Sequence, residues 1–156
     1  MKLSVLAVGH RQPDWVNAGC AEYLKRMPRE LPATVTEIKP ETRGSKTREQ
    51  LLAAEKGRIR DALQGSNRIV VLDEKGDDLT TLKLARRLET WMQDGRDVAL
   101  LICGADGLDE EFKQQADDKL RLSSLTLPHG MARLVLCEQL YRAVSVLKNH
   151  PYHREG

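Results

Sequence analysis

The last eight residues of the chain, NHPYHREG, concentrate side chains that can move protons or bind anions. Tyr152, His153 and Arg154 follow one another in this tail. A histidine can take up and release a proton near neutral pH, and an arginine can hold a phosphate or the anion of an imide. Because chain ends are often frayed, the residues alone leave a functional tail and a frayed one equally open.

His150 and His153 have the His-x-x-His spacing of some metal sites. No glutamate or third ligand with the spacing of a zinc site accompanies them. The three cysteines, Cys20, Cys103 and Cys137, are too widely spaced for a zinc knuckle, and their odd number does not suggest a disulfide framework. We therefore expect neither a metal site nor structural disulfides.

Four short segments could together line a ligand pocket, because each lies where a predicted strand ends or where the last helix begins. They are Leu72-Asp73, residues 103–107 (CGADG), residues 122–127 (LSSLTL) and Pro128-His129. Each segment taken alone is more simply a turn, a loop or a helix start. Ligands of open parallel sheets bind beyond the carboxyl ends of the strands. Together the segments predict a backbone-lined pocket with apolar walls, which suits an uncharged planar ring such as adenine.

Common motifs for phosphate binding and for serine nucleophiles are missing. The sequence contains no Gly-x-Gly-x-x-Gly, no Gly-x-x-x-x-Gly-Lys-Ser/Thr and no Gly-x-Ser-x-Gly. These absences argue against a classical dinucleotide-binding fold, a P-loop enzyme and an α/β-hydrolase.

The pocket segments require a sheet whose strands point in one direction, and the hydrophobic pattern predicts one. Strands are predicted at 3–8, 35–38, 68–72 and 97–103, helices at 14–27, 51–63 and 79–92, a polar loop at 41–50 and a turn at 74–78. This alternation predicts an α/β fold with a mostly parallel sheet and helices on both faces. The uninterrupted apolar strands agree with burial from both sides.

The last third of the chain has a different pattern. It predicts a short acidic helix from Asp109, a short strand followed by a loop within 120–128, and a long helix at 131–147. Apolar residues cover more than one face of the long helix, so it has two apolar neighbours. The sheet and a second subunit are the candidates.

Composition indicates one globular domain. The chain has 156 residues, of which 40% are hydrophobic and 31% charged. No apolar run is long enough to cross a membrane, and the first residues are too short an apolar stretch for a signal peptide, so we expect a cytoplasmic protein. Aromatic residues make up only 4%, which argues against a single-strand binder built from rows of stacking rings.

The small net charge of +2 hides an uneven distribution. Residues 1–60 carry 12 Lys/Arg and 7 Asp/Glu, whereas residues 61–156 carry 13 and 16. A basic half can face a polyanion, although a solvated helix surface is the simpler explanation. The candidate phosphate contacts are Arg43, Lys46, Arg48, Lys56, Arg58 and Arg60.

Several stretches spread over the whole chain resemble the RlmH (YbeA) group of SPOUT methyltransferases. They are LSVLAVG at 3–9, PDW at 13–15, EYL at 22–24, LD at 72–73, LICGADGL at 101–108, LTLPH at 125–129, EQLYRA at 138–143 and NHPYHRE at 149–155. The resemblance implies a single α/β SPOUT domain over residues 1–156 with a C-terminal trefoil knot at about 100–147 and a catalytic tail at 148–156. It also implies a homodimer that methylates N3 of a pseudouridine in 23S ribosomal RNA, within the ribosome.

The resemblance assigns a binding site for S-adenosyl-L-methionine in the knot loops. The implied cofactor residues are Leu72, Cys103, Gly104, Leu122, Ser123, Ser124, Leu125, Thr126 and Leu127. The group usually has glycine at position 103, where this chain has cysteine. If the cofactor contact is made by the backbone, a side chain that points away is tolerable. If the cofactor instead passes close over the alpha carbon of residue 103, the pocket must shift.

Five residues are the candidates for catalysis: Arg154, His153, Tyr152, His129 and Arg142. We expect Arg154 to stabilise the substrate anion and His153 to handle the proton or contact phosphate. The resemblance implies that the tail becomes ordered over the pocket when RNA is bound, and the dimer interface is one place where this can happen. Arg142 can equally pair with Glu138, four residues away on the same helix. A catalytically silent ribosome-binding module and a SPOUT methyltransferase of another RNA, such as transfer RNA, are the alternatives.

Overall fold

Five strands and five α-helices alternate along the chain in the computed structural model, which describes residues 1–63, 67–104 and 107–154. The elements are β1 (Leu3–Val8), α1 (Asp14–Leu24), β2 (Ala33–Ile38), α2 (Arg48–Ala62), β3 (Arg68–Asp78), α3 (Thr81–Asp94), β4 (Val98–Ile102), α4 (Glu110–Gln114), β5 (Asp118–Arg121) and α5 (His129–Leu147). A 3₁₀ turn, Pro151–Arg154, follows α5.

The strands form one sheet in the order β2-β1-β4-β3-β5, and all of its pairings are parallel. Every residue of the central strand β4 is buried, as expected for an apolar strand covered on both faces. The prediction of a parallel α/β sheet is confirmed. Because the strands are parallel, their carboxyl ends share one edge.

Helices cover both faces of the sheet. One face packs against α3 and α5, through residues such as Leu88, Trp91 and Leu140. The other packs against α2 and α4, through Ile59 and Phe112. The remaining helix, α1, lies against α5. The broad apolar surface of α5 is therefore accounted for by the sheet on one side and by α1 on another.

The basic loop is shorter and better anchored than the sequence predicts. The Thr47 side chain caps α2 by accepting a hydrogen bond from the N–H of Gln50, whose own side chain accepts from the N–H of Thr47. This capping box starts the helix at Arg48 rather than at residue 51. Glu55, a buried carboxylate of α2, accepts a hydrogen bond from the N–H of Glu41 and so ties the loop to the helix.

The largest difference from prediction lies in β3, which continues through the predicted turn at 74–78. Leu120 of β5 faces Leu72 and then also Asp77, so the residues between them bulge out of the register. Gly76 makes this possible, because a Cβ there would lie 2.7 Å from the backbone of Leu120. The bulge brings residues 73–75 to the carboxyl edge of the sheet.

Helix ends also differ by a few residues: α1 ends at Leu24 instead of residue 27, and α5 begins at His129 instead of residue 131. Within the described ranges, no helix has the length and apolar character needed to cross a membrane.

Candidate active site

A cavity of about 750 Å³ opens at the carboxyl edge of the sheet, where β1, β3, β4 and β5 end and α5 begins. This size is typical of sites for drug-sized ligands and cofactors. Its lining includes all nine residues expected to bind a cofactor: Leu72, Cys103, Gly104, Leu122, Ser123, Ser124, Leu125, Thr126 and Leu127. Two members of the predicted CGADG turn, Ala105 and Asp106, lie outside the described residues.

The cavity has apolar side walls and backbone groups at its mouth. Val8, Leu72, Ile102 and Leu122 supply aliphatic surface from the strand ends. The loop 122–127 crosses the mouth without regular secondary structure, so most of its backbone groups remain available to a ligand. One of its turns is fixed by the N–H of Leu125, which donates to the Ser123 hydroxyl at 2.9 Å.

Cys103 contributes backbone to the cavity while its side chain packs into the apolar cluster under α2 and α4. Burial, reinforced by the nearby Asp73 carboxylate, raises the pKa of its thiol to about 11. The thiol is therefore protonated at neutral pH and is a poor nucleophile. The next residue has to be small, because a Cβ at Gly104 would lie 3.2 Å from Val8 Cγ1.

Asp73, at the end of the regular part of β3, places a carboxylate at the cavity wall. Burial opposes its ionisation, but its contacts with Lys113 and with the N–H of Lys75 outweigh burial and lower its pKa. The Lys113 ammonium lies 3.0 Å from the carboxylate. The wall is thus polar here, with its charge compensated from α4.

His129, at the start of α5, also lines the cavity, and a buried arginine fixes its ring. Arg133 Nε donates to His129 Nε2 at 2.8 Å, and Arg133 Nη1 lies 2.8 Å from the Glu37 carboxylate. Arg133 Nη2 donates to the carbonyl of His10 at 3.4 Å. Burial, followed by the charge of Arg133, lowers the pKa of His129. Sequence reasoning missed Arg133 and Glu37. The available signal was an arginine four residues after His129, so on the same side of α5, among largely apolar neighbours.

The other four candidate catalytic residues are not at this cavity. Arg142, Tyr152, His153 and Arg154 cluster at the far end of α5, where the 3₁₀ turn folds back onto the helix. Arg142 lies 13 residues beyond His129, which is about 20 Å along a helix axis. The expected placement of the tail over the pocket is therefore not seen within one subunit.

Arg142 holds the tail in this position. Its Nε lies 3.0 Å from the Glu138 carboxylate, as the helical spacing predicted. Its Nη1 donates to the carbonyls of Tyr152 and His153 at 3.3 and 3.4 Å. A guanidinium that bridges a carboxylate and two backbone carbonyls acts as a clamp on the turn that carries His153 and Arg154.

The Tyr152 ring packs against other side chains rather than pointing into solvent. Its ring centroid lies 4.8 Å from that of Tyr141 and 6.4 Å from that of Tyr23, and its hydroxyl donates to Glu138 at 3.1 Å. The Arg142 guanidinium carbon lies 4.7 Å from the ring centre. Burial, then the contacts with Tyr23 and Glu138, raise the pKa of Tyr152, so it stays neutral. Its ring is an anchor here, and stacking on a base would require it to leave this cluster.

The tail histidines also have hydrogen-bond partners. His153 Nδ1 bonds the carbonyl of His150, and His150 Nδ1 accepts from the N–H of Tyr152 at 3.2 Å. Arg154 Nη2 donates to the Asn149 side chain at 3.4 Å. Among the residues that the structure describes, no three His, Cys, Asp or Glu side chains are grouped so that they could hold a metal ion.

Several of the candidate phosphate contacts are engaged within the protein. Lys46 and Arg58 both pair with Glu41, at 3.4 and 2.8 Å, and Lys56 lies 3.5 Å from Asp109. These ion pairs compensate part of the positive charge in the first 60 residues. Arg60 of α2 is exposed, and phosphate binding by this surface stays a prediction.

Comparisons with known proteins point to a single family. The family model described as "Predicted SPOUT methyltransferase" matches residues 1–153. A "Ribosomal RNA large subunit methyltransferase H" from Dechloromonas aromatica (strain RCB) is 90% identical over all of this chain and all of its own length. A protein of the same name from Burkholderia ambifaria (strain MC40-6) is 58% identical over 99% of both chains.

A solved structure supports the fold alone. It is described as that of a probable methylase family protein from Haemophilus influenzae Rd KW20, with a TM-score of 0.57 and 14% sequence identity. The match covers 94% of this chain and 66% of the other.

Proposed function

This chain belongs to the SPOUT methyltransferase family, and we propose on that premise that it methylates N3 of a pseudouridine in 23S ribosomal RNA, on the assembled ribosome. The observation that carries the proposal is the cavity at the carboxyl edge of the sheet, which gathers all nine expected cofactor residues from three separate parts of the chain. The name shared by the two relatives supports the large-subunit RNA as the substrate class.

The cavity fits S-adenosyl-L-methionine, which supplies an electrophilic methyl group on a sulfonium. Leu72, Ile102 and Leu122 provide apolar surface for an uncharged ring such as adenine. Backbone groups at 103–104 and along 122–127 provide hydrogen-bond partners for the ring edge. Cys103 does not obstruct this fit, since its side chain packs into the apolar cluster behind the turn.

The acceptor nitrogen needs more help than the methyl donor. A protonated imide nitrogen is a weak nucleophile, so the reaction requires removal of its proton or stabilisation of its anion. Arg154 is proposed to stabilise the anion, and His153 to handle the proton or contact a phosphate. Arg142 and Tyr152 shape the turn that carries these two residues.

The separation between tail and cavity supports a homodimer. Within one subunit Arg142 lies about 20 Å along α5 from His129, so the tail needs a second pocket close to its own end of the helix. We propose that each tail serves the pocket of the partner subunit. The exposed Trp15 at the start of α1, 60% exposed, supplies apolar surface beside α5 for such an association.

Two further parts of the proposal follow from the family. Residues at about 100–147 form the trefoil knot of a single domain that spans 1–156, and the protein acts in the cytoplasm, where ribosomes are found. Recognition is proposed to come from the shape of the folded ribosome together with backbone contacts that carry little sequence information.

Tritiated methyl transfer followed by mass spectrometry of the digested RNA tests the proposal. We expect label on a pseudouridine of 23S RNA, and a much faster reaction with ribosomes than with free RNA fragments of the same sequence. Ribosome binding without transfer would support the silent binding module. Label in transfer RNA would support a different SPOUT substrate, and equal rates on free fragments would contradict the requirement for the ribosome.

A further inference from the structure

The hydrogen bond between Arg133 and His129 settles the protonation state of the histidine ring. Arg133 Nε carries a hydrogen and can only donate, so His129 Nε2, 2.8 Å away, must accept. A ring nitrogen that accepts carries no proton. In a neutral imidazole the proton is then on Nδ1, and this N–H is the one donor of the ring, beside the cavity that His129 lines together with Cys103 and Gly104.

Arg133 is fixed from every side. It is 1% exposed, and each nitrogen of its guanidinium has a partner: His129, the Glu37 carboxylate and the carbonyl of His10. A buried guanidinium is costly unless it is fully paired. Its position is therefore set by the ends of β1 and β2, and it cannot easily swing away from the histidine.

The ring of His129 is also confined by packing. A Cβ at Gly9 would lie 3.0 Å from His129 Nε2, so the ring lies directly on the backbone just after β1. This close contact with the backbone leaves no room for another rotamer of the His129 side chain. Two segments that border the cavity, the end of β1 and the start of α5, thus meet at this one side chain.

We propose that Arg133 is a positioning residue: it holds His129 as the neutral tautomer protonated on Nδ1, and this N–H serves as the hydrogen-bond donor that supports the Cys103-Gly104 turn at the cofactor cavity. Because Nε2 accepts from Arg133 and Nδ1 carries the proton, the ring is not the base that activates the acceptor. The part concerning the cofactor rests on the proposed function of the cavity; the part concerning the tautomer does not.

Nitrogen NMR of the histidine rings tests the tautomer directly. In the wild-type protein without ligand we expect His129 to show one unprotonated nitrogen, Nε2, and to take up a proton only below pH 6.5, the ordinary pKa of a histidine. In Arg133→Met the ring should exchange between tautomers and take up a proton more readily. Lys148→Met, which removes one charge from the loop just after the same helix and far from the cavity, is the matched control and should leave the ring unchanged.

A pair of substitutions at position 129 tests the role of the ring without disturbing the buried arginine. The amide nitrogen of asparagine lies near the place of Nδ1, whereas that of glutamine lies near Nε2. We expect His129→Asn to bind S-adenosyl-L-methionine like the wild type in calorimetry. His129→Gln and Arg133→Met should bind it about tenfold more weakly, as for the loss of one hydrogen bond to a fixed turn. Because both substitutions at position 129 replace the ring by an amide, the difference between them reports the position of the donor rather than the loss of the ring.

Each outcome decides part of the inference. An unchanged ring spectrum in Arg133→Met overturns the tautomer assignment. Equal cofactor affinity in His129→Asn and His129→Gln overturns the positioning role, and a large loss of turnover in both at normal affinity would make His129 a base. If the wild-type protein itself binds no S-adenosyl-L-methionine, the proposed function fails along with the cofactor part, while the ring spectra still decide the tautomer.

Discussion

At the scale of single residues, hydrogen bonding separates the candidate groups that can change protonation from those that cannot. Tyr152 is held neutral by burial and by Glu138, and the Cys103 thiol is held protonated by burial. His129 is half-buried, and burial together with the charge of Arg133 disfavours its protonation and lowers its pKa. This leaves His153, whose ring lies on the protein surface and bonds only a backbone carbonyl among the contacts described, as the better candidate for proton handling.

The lowered pKa of His129 predicts how stability responds to acid. The pKa of His129 is lower in the folded protein than the ordinary value of 6.5, so the unfolded chain binds more protons once the pH falls below about 6.5. The free energy of unfolding should therefore be fully retained above that pH and decrease below it. Urea titrations between pH 7.5 and 5.5 should show this decrease, and it should be smaller in His129→Asn. Equal slopes in the two proteins would assign the acid sensitivity to other groups.

A second prediction at this scale concerns Arg154. Replacing it with alanine removes the charge proposed to stabilise the imide anion, and we expect the single-turnover rate to fall about 10²- to 10³-fold. Affinity for S-adenosyl-L-methionine, measured by calorimetry, should not change. Arg96→Ala, which removes another partly exposed arginine after α3, is the control. A normal rate in Arg154→Ala would remove this residue from the mechanism.

At the scale of elements, the hydrophobic pattern predicted the first four strands of the sheet and their parallel direction. It assigned the wrong structure to one polar segment. The polar run at 74–78 was predicted as a turn, yet it continues β3 beside β5. Local sequence could not show this, because the pairing partner lies more than 40 residues away. Thr47 and Gln50 did carry a local signal, the capping box, which places the start of α2 correctly.

The bulge in β3 predicts a contrast between two glycines. In Gly76→Ala the new Cβ would collide with the backbone of Leu120, so β5 must shift, and with it Leu122 at the cavity. We expect a loss of at least about 2 kcal/mol in the free energy of unfolding, as for other overpacked sites, together with weaker cofactor binding. Chemical unfolding and calorimetry measure both.

Gly57→Ala is the matched control for Gly76→Ala. Nothing lies within 4 Å of a Cβ at Gly57, inside α2, so alanine should add up to about 1 kcal/mol of stability there. Cofactor affinity should be unchanged. A stable Gly76→Ala protein with wild-type affinity would show that β5 accommodates the methyl group.

At the scale of the whole molecule, the candidate site residues could be named from the sequence more readily than the residues that they contact in the fold. The nine expected cofactor residues could be named because the chain resembles a known family over its whole length, and all nine line one cavity. The tail could not be placed, because its position depends on a cluster of Tyr23, Tyr141 and Arg142 that meets only after α1 packs on α5. Arg133 was missed for the same reason, since its partners come from β1 and β2.

The proposed exchange of tails between subunits predicts rescue by mixing. Gly104→Val should block the cavity, because even a Cβ there lies 3.2 Å from Val8 Cγ1, and Arg154→Ala should disable the tail. Each protein alone should be inactive. After the two are unfolded and refolded together, half of the dimers pair the two variants and hold one intact site out of two, so about a quarter of wild-type activity should return. No recovery, with dimers confirmed by sedimentation, would place tail and pocket in the same subunit.

The packing of the three cysteines has a practical consequence for labelling with fluorescent dyes. Cys20 and Cys137 are buried against one another, and Cys103 is turned into the core with its pKa near 11. A maleimide should therefore react slowly with the folded protein, although the chain contains three thiols. Leu125, 73% exposed on the loop at the cavity mouth, can be changed to cysteine and labelled selectively without first removing the natural ones. A fluorophore there would give a direct optical signal of what enters the cavity.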